Sequence, residues 1–477
     1  MSPEVNSADF LKQWDVDVAT SLEILNTLNG GQFRSEWPVV AGLPDVDGIS
    51  VVDSSQVSDS IIEKGWQGLS KTALGILNGG SATSYVDRKK NLSIHPLLSE
   101  IYAADIERAA EELGGRPKAL APAFYQPDGQ PGPSFLELKV RHLLLLSHVL
   151  SVRQLPLFQM TSPATHQALI QAWEKLCQSP WVKDLIGNGV ELPQLLTRQQ
   201  ELITAFTLPD AQGRRNVFVY GDPPRPLLLP GGHGQNFRVL ADVYSQLARQ
   251  GYDWGYLTNV DNLGALPSVS GLGLVIDRQA QAGFDFSFKT AIDVKGGILF
   301  RDNQGRLQCA DLGVGVDPAV LKRYPEARIL FNCATGVFHL PTLVEELPRI
   351  VQHLPLRLSN QDKDLGHYTQ AEQVTWEVIG LLDRPLILGV EKQKRFLAAK
   401  MVIDTFLTSA LKLDHPLFQS PELENYRVLA HQLHEGLSYL LRGPYALKQE
   451  GGIWVPLTFT EIQNRLKVEG WRWASPF

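Results

Sequence analysis

Two glycine-rich loops in this chain have the composition of phosphate-binding turns. In the first, Gly79 and Gly80 follow the apolar run LGILN, and Thr83 and Ser84 add hydroxyl donors. Glycine lets the backbone turn sharply and approach an oxygen-rich ligand, so that successive N–H groups can face phosphate charge. A tight surface turn also explains an isolated Gly-Gly pair and is the commoner explanation for that motif alone.

The second loop is Pro-Gly-Gly-His-Gly at 230–234, directly before an amphipathic pattern that predicts a helix. Free N–H groups and a partial positive charge at a helix N-terminus favour an anionic ligand. Gly232 would let a base or a phosphate lie against the backbone, and His233 would then contact it. A purely structural histidine is equally compatible with this pattern.

Acidic and amide side chains follow the apolar run WGYLTN, where Asn259, Asp261 and Asn262 occur together. A carboxylate at the carboxyl end of a parallel strand suits Mg²⁺ that also binds phosphate oxygens. A polar turn that caps the next helix explains the same residues equally well. If a metal binds here, Asp261 is the leading candidate for its ligand, because it is the carboxylate of this group.

Basic residues are concentrated in two further segments. FSFKTAIDVKGGILF places Lys289, Asp293 and Lys295 before a Gly-Gly pair and predicts a hairpin with a cationic rim, although paired glycines are usually only turns. EKQKRFLAAK follows the apolar run RPLILGV and contains four basic residues, ending at Lys400. Such a run is commonly a solvated surface, but a phosphoryl transferase needs cations to neutralise phosphate oxygens.

The elements that carry these motifs alternate between short apolar runs and longer helical patterns. This alternation predicts a largely parallel sheet covered by helices, which binds ligands beyond the carboxyl ends of its strands. The patterns predict a helical N-terminal cap over residues 1–68, a catalytic α/β domain over 69–405 and a mainly helical region over 406–477.

Composition excludes several classes of protein. Hydrophobic residues make up 44% and charged residues 20% of the 477 residues, which is typical of a globular protein. No apolar stretch is long enough to span a bilayer, and the N-terminus does not resemble a secretory signal. A net charge of -7 disfavours a general nucleic-acid surface, and three scattered cysteines indicate neither disulfides nor a zinc site. We therefore expect a soluble cytoplasmic protein that binds neither membranes nor nucleic acids. A dinucleotide-dependent oxidoreductase is disfavoured because no GxGxxG motif follows an early strand.

The motifs resemble those of the UDP-glucose pyrophosphorylase family, in sequence and in their order along the chain, over roughly residues 70–405. The motifs are LNGGSAT, LPLFQMTS, PGGHG, TNVDNLGA, KTAIDVKGG, FNCAT and KRFLAAK. This resemblance implies a GT-A-like, Rossmann-related nucleotidyltransferase with a mixed, mostly parallel sheet. The C-terminal region lacks the hexapeptide repeat of the eukaryotic members, so that it is more similar to bacterial or plastid-type members. The oligomeric state stays open.

The resemblance also implies a reaction and a set of site residues. Glucose 1-phosphate would attack the α-phosphorus of UTP with Mg²⁺ bound, which gives UDP-glucose and pyrophosphate. Lys400, Asp261 and Lys90 would be catalytic, and Asp261 would bind the metal. The nucleotide would contact Gly79, Gly80, Met160, Gly232 and His233, and the sugar would contact Asn259, Gly297 and Asn332.

Departures from the family pattern leave alternatives open. SYVDRKKN lacks the Pro-Lys that usually ends the first loop, so that Lys89 or Lys90 would substitute for its lysine. Leu208 stands where a uracil-contacting glutamine is expected, and Gln235 replaces a common acidic residue. The chain is therefore also compatible with a pyrophosphorylase for N-acetylglucosamine or galactose 1-phosphate, or with a catalytically impaired UDP-sugar-binding protein.

Overall fold

The computed structural model describes residues 7–30, 51–288, 296–313, 315–323, 329–363 and 365–475. Its α-helices are α1 (Ser7–Leu11), α2 (Val18–Asn29), α3 (Asp59–Leu69), α4 (Arg88–Leu92), α5 (Pro96–Leu113), α6 (Phe135–Leu150), α7 (His166–Lys175), α8 (Asn236–Val239), α9 (Ala241–Arg249), α10 (Val269–Asp277), α11 (Val320–Arg323), α12 (Leu340–His353), α13 (Lys392–Arg395), α14 (Val402–Thr408), α15 (Glu424–Arg442) and α16 (Phe459–Glu469).

The strands contribute to one large sheet and four short ribbons. They are β1 (Val51–Asp53), β2 (Thr72–Asn78), β3 (Leu157–Thr161), β4 (Leu195–Gln199), β5 (Leu202–Thr204), β6 (Val219–Tyr220), β7 (Arg225–Pro226), β8 (Leu228–Pro230), β9 (Trp254–Asn259), β10 (Ala282–Phe288), β11 (Gly297–Arg301), β12 (Leu307–Asp311), β13 (Leu330–His339), β14 (Leu356–Lys363), β15 (Gly366–Gln373), β16 (Pro385–Gly389), β17 (Leu447–Glu450) and β18 (Ile453–Pro456).

The large sheet has ten strands, of which eight follow the order β1-β16-β10-β13-β9-β2-β3-β4. Strand β13 is antiparallel to both of its neighbours, β10 and β9, whereas all other adjacent pairs along this path are parallel. Strand β11 pairs with β12 and, through a single residue, with β13. The predicted mixed, mostly parallel sheet is thus confirmed, and its parallel strands end at one common edge.

Helices cover both faces of the sheet, because alternate strand residues supply two separate apolar cores. Leu74 and Ile76 of β2 face a core that also contains side chains of α3, α6, α10 and α15. Phe158 of β3 and Leu257 of β9 face a second core with side chains of α9 and α12. Because strand β2 is buried along its whole length, its sequence is a continuous apolar run with little alternation.

The appendages are joined to the sheet more closely than the predicted boundaries suggest. Strand β1 lies within the predicted N-terminal cap, but it pairs in parallel with β16 and so belongs to the main sheet. The boundary predicted at 405/406 falls inside α14. Helix α2 ends at Asn29, next to Gly30, and packs on a small core with side chains of β5, β14 and β15. Within the described residues, no helix is long and apolar enough to cross a membrane.

Candidate functional site

The candidate site lies at the common carboxyl edge of the parallel strands. The first glycine loop follows β2, Ser162 follows β3, Gln200 follows β4, and the Asp261 loop follows β9. Ligands bind at this edge in open α/β sheets because the loops there leave a crevice between strands. The sequence motifs are thus brought together by strand topology.

The first glycine loop is anchored through its carbonyl groups. Ser162 Oγ donates to Gly79 O at 2.8 Å, and the backbone N–H of Lys118 donates to Gly80 O at 3.1 Å. A Cβ atom built on Gly80 would have no heavy atom within 4 Å. No packing within the described protein therefore requires glycine at this position, and the space beside the loop is open to a ligand.

A lysine that the sequence did not indicate lies opposite the predicted metal ligand. Lys118 Nζ forms an ion pair with the Asp261 carboxylate, and the two side chains are only 14% and 13% exposed. The same ammonium group lies 5.2 Å from the centre of the Tyr85 ring. Lys118 follows Pro117, so that the Pro-Lys pair missing from SYVDRKKN is present after α5.

The predicted substitutes for this lysine lie on the short helix α4. Lys90 is exposed, and its Nζ donates to Ser84 Oγ at 2.9 Å, while Lys89 is also exposed. Neither lysine has a described contact with Asp261. The structure therefore brings Lys118 to this position in place of Lys90.

Asn262 holds the Asp261 loop in place. Its buried amide donates to Cys333 O at 3.0 Å and to Arg395 O at 3.2 Å, and its oxygen accepts from the N–H of Leu397 at 3.0 Å. Lys139 Nζ donates to Asn262 O at 2.6 Å, and burial lowers the pKa of this lysine to about 7. Asn262 is thus a structural residue beside the site.

The predicted basic segment separates into structural and exposed cations. Arg395 is buried and pairs with Asp285 at 2.7 Å, which occupies its guanidinium group. Residues 396–400 then run beside the Asp261 loop, where Ala398 forms a bridge with Asn262. Lys400 is exposed, and its charge opposes the rise that desolvation causes in the pKa of the half-buried Asp404 carboxyl. Lys400 is therefore the cation that this segment leaves open to a ligand.

Two of the predicted sugar-facing residues lie on neighbouring strands, Gly297 at the start of β11 and Asn332 near the start of β13. Asn332 is buried, its Oδ1 accepts from the N–H of Ala334 at 2.7 Å, and its Nδ2 has no hydrogen-bond partner among the described residues. A Cβ on Gly297 would lie 3.1 Å from Asp311 Oδ1 and 3.5 Å from Asn332 Cβ. Burial raises the pKa of Asp311, and Lys400 opposes that shift. An unpaired donor and a carboxylate thus lie together here.

Asn259 and Met160 have different environments. Asn259 ends β9 beside β2 and is half-buried. Met160 is only 2% exposed and packs in the second core, so that its side chain faces the protein interior. Lys289, Asp293 and Lys295 lie outside the described residues.

The second glycine loop packs against the end of β15. A Cβ on Gly232, whose φ is +83°, would lie 2.4 Å from Gln373 O, so that protein packing alone requires this glycine. The N–H of Thr375 donates to His233 Nδ1 at 3.1 Å, which places the proton of the neutral ring on Nε2. Burial lowers the pKa of His233 to about 4.

A glutamine joins the two glycine loops. Gln200 is 4% exposed, and its amide donates to Gly232 O at 3.0 Å and to Gln235 Oε1 at 2.8 Å. Its Oε1 would lie 3.9 Å from a Cβ built on Gly79. Leu208, by contrast, is exposed in a loop after β5. The structure thus places a buried glutamine, Gln200, at the edge for which the sequence pattern indicated Leu208.

No group of three or more metal-ligating side chains occurs in the part of the chain that the structure describes. Mg²⁺ keeps several waters in proteins and commonly takes one or two carboxylates together with substrate phosphates. The single carboxylate of Asp261 fits that requirement.

The chain is similar to known proteins in sequence and in fold. The family model described as UTP–glucose-1-phosphate uridylyltransferase matches residues 128–414, more than half of the chain. A probable UTP–glucose-1-phosphate uridylyltransferase of Schizosaccharomyces pombe is 26% identical over 216 residues, which are 44% of this chain and 39% of that protein. A UTP–glucose-1-phosphate uridylyltransferase of Musa acuminata is 27% identical over 184 residues, or 38% of this chain and 39% of that protein. The chain thus spans about two fifths of the length of these curated relatives.

A solved structure extends the likeness in fold. A mutant UDP-glucose pyrophosphorylase from Leishmania major, in complex with UDP-glucose, aligns with a TM-score of 0.59 at 18% identity. The alignment covers 84% of this chain and 79% of that protein. All three relatives named here are eukaryotic, and they do not support the expected bacterial or plastid subtype.

Proposed function

Because the chain belongs to the UTP–glucose-1-phosphate uridylyltransferase family, we propose that it joins UTP and a sugar 1-phosphate, with glucose 1-phosphate as the substrate. A phosphate oxygen of the sugar 1-phosphate attacks the α-phosphorus of UTP. A new P–O bond forms, the bond between the α-phosphorus and its bridging oxygen breaks, and pyrophosphate leaves. The sugar phosphate is already ionised at neutral pH, so that no general base is needed.

The observation that carries this proposal is the Lys118–Asp261 pair beside the first glycine loop. Phosphoryl transfer needs little covalent chemistry from the protein, and its catalysis comes mainly from positioning and from neutralising charge. Lys118 and Lys400 supply cations on this edge, and Gly80 lies next to open space. When substrate binds, Lys118 is proposed to exchange Asp261 for a phosphate oxygen.

Asp261 is the proposed ligand for Mg²⁺, which when bound would neutralise phosphate charge. Because Lys118 pairs with Asp261 in the described structure, the carboxylate is held in position for a cation before substrate binds. We expect Asp261→Asn, which keeps the side-chain size but removes the charge, to lower kcat/KM by about 100-fold or more. Unchanged Mg²⁺-dependent turnover in this variant would remove Asp261 from the mechanism.

The proposed nucleotide contacts lie between the two glycine loops. Gln200 Oε1 and His233 Nε2–H offer an acceptor and a donor there, which suits the base edge of uracil. Gln200 thereby supplies the uracil contact that Leu208, standing in place of the expected glutamine, does not make. The proposed sugar contacts are Asn259, Gly297 and Asn332, together with Asp311. The Nδ2 of Asn332, which has no partner in the part of the chain that the structure describes, is suited to a sugar hydroxyl because a buried donor without a partner costs free energy until a ligand satisfies it.

The test is pyrophosphate release from the purified full chain with Mg²⁺. UTP and the other nucleoside triphosphates are each combined with glucose, galactose and N-acetylglucosamine 1-phosphates. We expect turnover with UTP and glucose 1-phosphate to exceed every other combination. Faster turnover with another sugar would correct the substrate, and UDP-glucose binding without any turnover would identify an impaired binding protein.

A further inference from the structure

A cavity separate from the candidate site lies in the C-terminal region. Its volume is about 740 Å³, within the range of roughly 300–1,000 Å³ that is typical of small-molecule sites. It lies between α15, the β17–β18 hairpin, α16 and the tail that follows α16. Its walls include Ser438, Tyr439, Arg442, Gln449, Arg465 and Trp473. None of the catalytic or binding residues proposed above lines this cavity.

The lining of this C-terminal cleft carries excess positive charge. Arg442, Arg465 and Arg472 line it, and Glu435 is the single acidic residue among its lining residues. No ion pair of Arg442 occurs among the described residues, and its guanidinium group is 5.6 Å from the centre of the Trp454 ring. Arginine is well suited to phosphate because its planar fork can donate two parallel hydrogen bonds.

The other two arginines have carboxylate partners at the surface. Arg465 Nε lies 3.1 Å from a Glu469 oxygen and its Nη1 donates to Arg442 O at 2.6 Å, whereas Arg472 lies 3.3 Å from Asp59. Glu469 and Asp59 are 51% and 94% exposed. Carboxylates this exposed form weak ion pairs, so that an anion in the cleft can replace them at small cost while Arg465 keeps its bond to Arg442 O.

Aromatic side chains give the cleft an apolar wall as well. Tyr439 lines it from α15 and Trp473 from the tail, and the Arg465 guanidinium lies 4.1 Å from the Trp473 ring centre. A bare phosphate ion would contact only the arginines. A phosphate ester can in addition pack its carbon body against the aromatic wall, so that this lining favours an ester.

Helix α15 also connects the cleft to the basic segment of the catalytic edge. A Cβ on Gly436 would lie 2.1 Å from Gln393 O, so that α15 and α13 touch through their backbones. Lys394 Nζ lies 4.8 Å from the centre of the Tyr439 ring. Tyr439 therefore contacts the cleft and the segment that leads to Lys400 at the same time.

We propose that the C-terminal cleft binds a small phosphate ester, and that its occupation alters turnover through α15. The binding part is independent of the transferase activity, whereas the effect on turnover rests on the function proposed above. A ligand held by Arg442 and Tyr439 would restrain α15, and this restraint would pass to Lys400 through Lys394.

The test measures binding to the full chain by isothermal titration calorimetry. The probes are phenyl phosphate, glycerol 3-phosphate and inorganic phosphate. We expect both esters to bind more tightly than inorganic phosphate, with phenyl phosphate the tightest. Equal affinity for all three probes, or no binding of either ester, would overturn the proposal.

Variants separate this cleft from the catalytic edge. Arg442→Gln should weaken binding of the esters about tenfold or more, because it removes a charge-assisted contact. The matched control Arg153→Gln changes an arginine that is 71% exposed and lies outside the cleft, and it should bind the esters as the unchanged chain does. Binding that survives in Arg442→Gln but is lost in Lys118→Ala would place the esters at the catalytic edge and overturn the proposal.

The effect on turnover is measured as pyrophosphate release with and without phenyl phosphate at saturating substrates. We expect phenyl phosphate to change the rate of the unchanged chain but not that of Arg442→Gln, whose rate without the ester should be normal. An equal response in both proteins would contradict the coupling through α15.

Discussion

Lys118 is paired with the Asp261 carboxylate in the described structure, and this pairing makes the roles of the two residues separately testable. If Lys118 neutralises phosphate oxygens as pyrophosphate leaves, Lys118→Ala should lower kcat/KM about 100- to 1,000-fold, as for other preorganised electrostatic groups. Lys90→Ala should leave kcat/KM unchanged, because Lys90 is exposed and its ammonium group bonds only to Ser84 in the described structure. Steady-state pyrophosphate release compares the two variants.

The fold of the Lys118 variant needs its own measurement, because the substitution leaves a mostly buried Asp261 carboxylate without its cation. Thermal unfolding followed by circular dichroism reports this, and Lys118→Arg serves as the matched control that keeps the charge. We expect Lys118→Arg to recover part of the lost activity. If Lys90→Ala were the inactive variant and Lys118→Ala the active one, Lys90 would be the loop lysine after all.

At the level of single residues, the sequence indicated those that stand next to a distinctive motif. Asp261, Asn332 and Gly80 were identified in this way, and each lies at the predicted edge. Lys118 was missed because α4 and α5 separate it from the first glycine loop, so that only the chain path in space brings the two together. The sequence does contain Pro117-Lys118 after a glycine pair, but this pair lies far beyond the first glycine loop along the chain.

His233 gives the protein a pH-dependent stability of predictable sign. Burial lowers its pKa from 6.5 to about 4, so that between these values the unfolded chain binds a proton that the folded chain does not. The free energy of unfolding should therefore fall as the pH is lowered from 6.5 to 4. His142, whose pKa burial lowers to about 3, contributes in the same direction.

Urea unfolding at a series of pH values measures this dependence. In His233→Asn, the side-chain oxygen can still accept from the Thr375 N–H, but the residue no longer titrates. We expect this variant to lose stability less steeply than the unchanged chain between pH 6.5 and 4, with the remaining slope due to His142 and the carboxylates. Identical slopes in the two proteins would show that His233 titrates normally in the folded state.

The two glycine loops look alike in sequence, yet as structural elements they have opposite requirements. Gly80 has open space around it, whereas Gly232 has a positive φ and lies against Gln373. Gly232→Ala should therefore destabilise the protein by about 1–3 kcal/mol or more through backbone strain and a steric clash. Gly80→Ala should leave the Tm unchanged, but it should raise the KM for UTP because its methyl group enters the proposed ligand space.

Calorimetry and steady-state kinetics on the same two variants make this comparison. A stable Gly232→Ala protein would mean that β15 shifts easily away from the loop. A Gly80→Ala protein with normal KM would place the nucleotide elsewhere. The sequence predicts ligand contact for both loops because it does not show which residues pack against each glycine. Those neighbours come from distant segments such as β15.

Elements were predictable from sequence where their pattern is local. The apolar runs that became β2, β3, β9 and β16 were recognised because parallel strands covered on both faces are almost continuously apolar. Strand β13 runs against its neighbours, and β1 joins the sheet through β16. Neither pairing leaves a local signature, since strand order depends on how distant segments meet. The positions of the appendages relative to the sheet were therefore the least predictable part of the fold.

At the scale of the whole molecule, a buried arginine connects the sheet's covering helices to the C-terminal region. The Arg141 side chain on α6 is fully buried and donates to Tyr445 O at 2.6 Å, Ala446 O at 2.8 Å and Leu457 O at 2.9 Å. It also donates to Trp181 O at 2.7 Å. Burial lowers the pKa of Arg141 to about 10, so that it is still charged at neutral pH. A buried cation of this kind is stable only while its acceptors stay in place.

This connection predicts that the catalytic region and the C-terminal region unfold together. Arg141→Met keeps most of the side-chain volume but leaves buried carbonyl groups without a donor, and each such group costs about 1–3 kcal/mol. The free energy of unfolding of the whole chain should therefore fall by about 3 kcal/mol or more. Arg153→Met, at a surface arginine that is 71% exposed, should change the free energy of unfolding by less than about 0.5 kcal/mol. Denaturant unfolding followed by far-ultraviolet and near-ultraviolet circular dichroism should give coincident single transitions in all three proteins, because loss of the Arg141 contacts weakens both regions at once. Two separated transitions in Arg141→Met, the first involving only residues after α14, would instead show that the C-terminal region folds independently of the sheet.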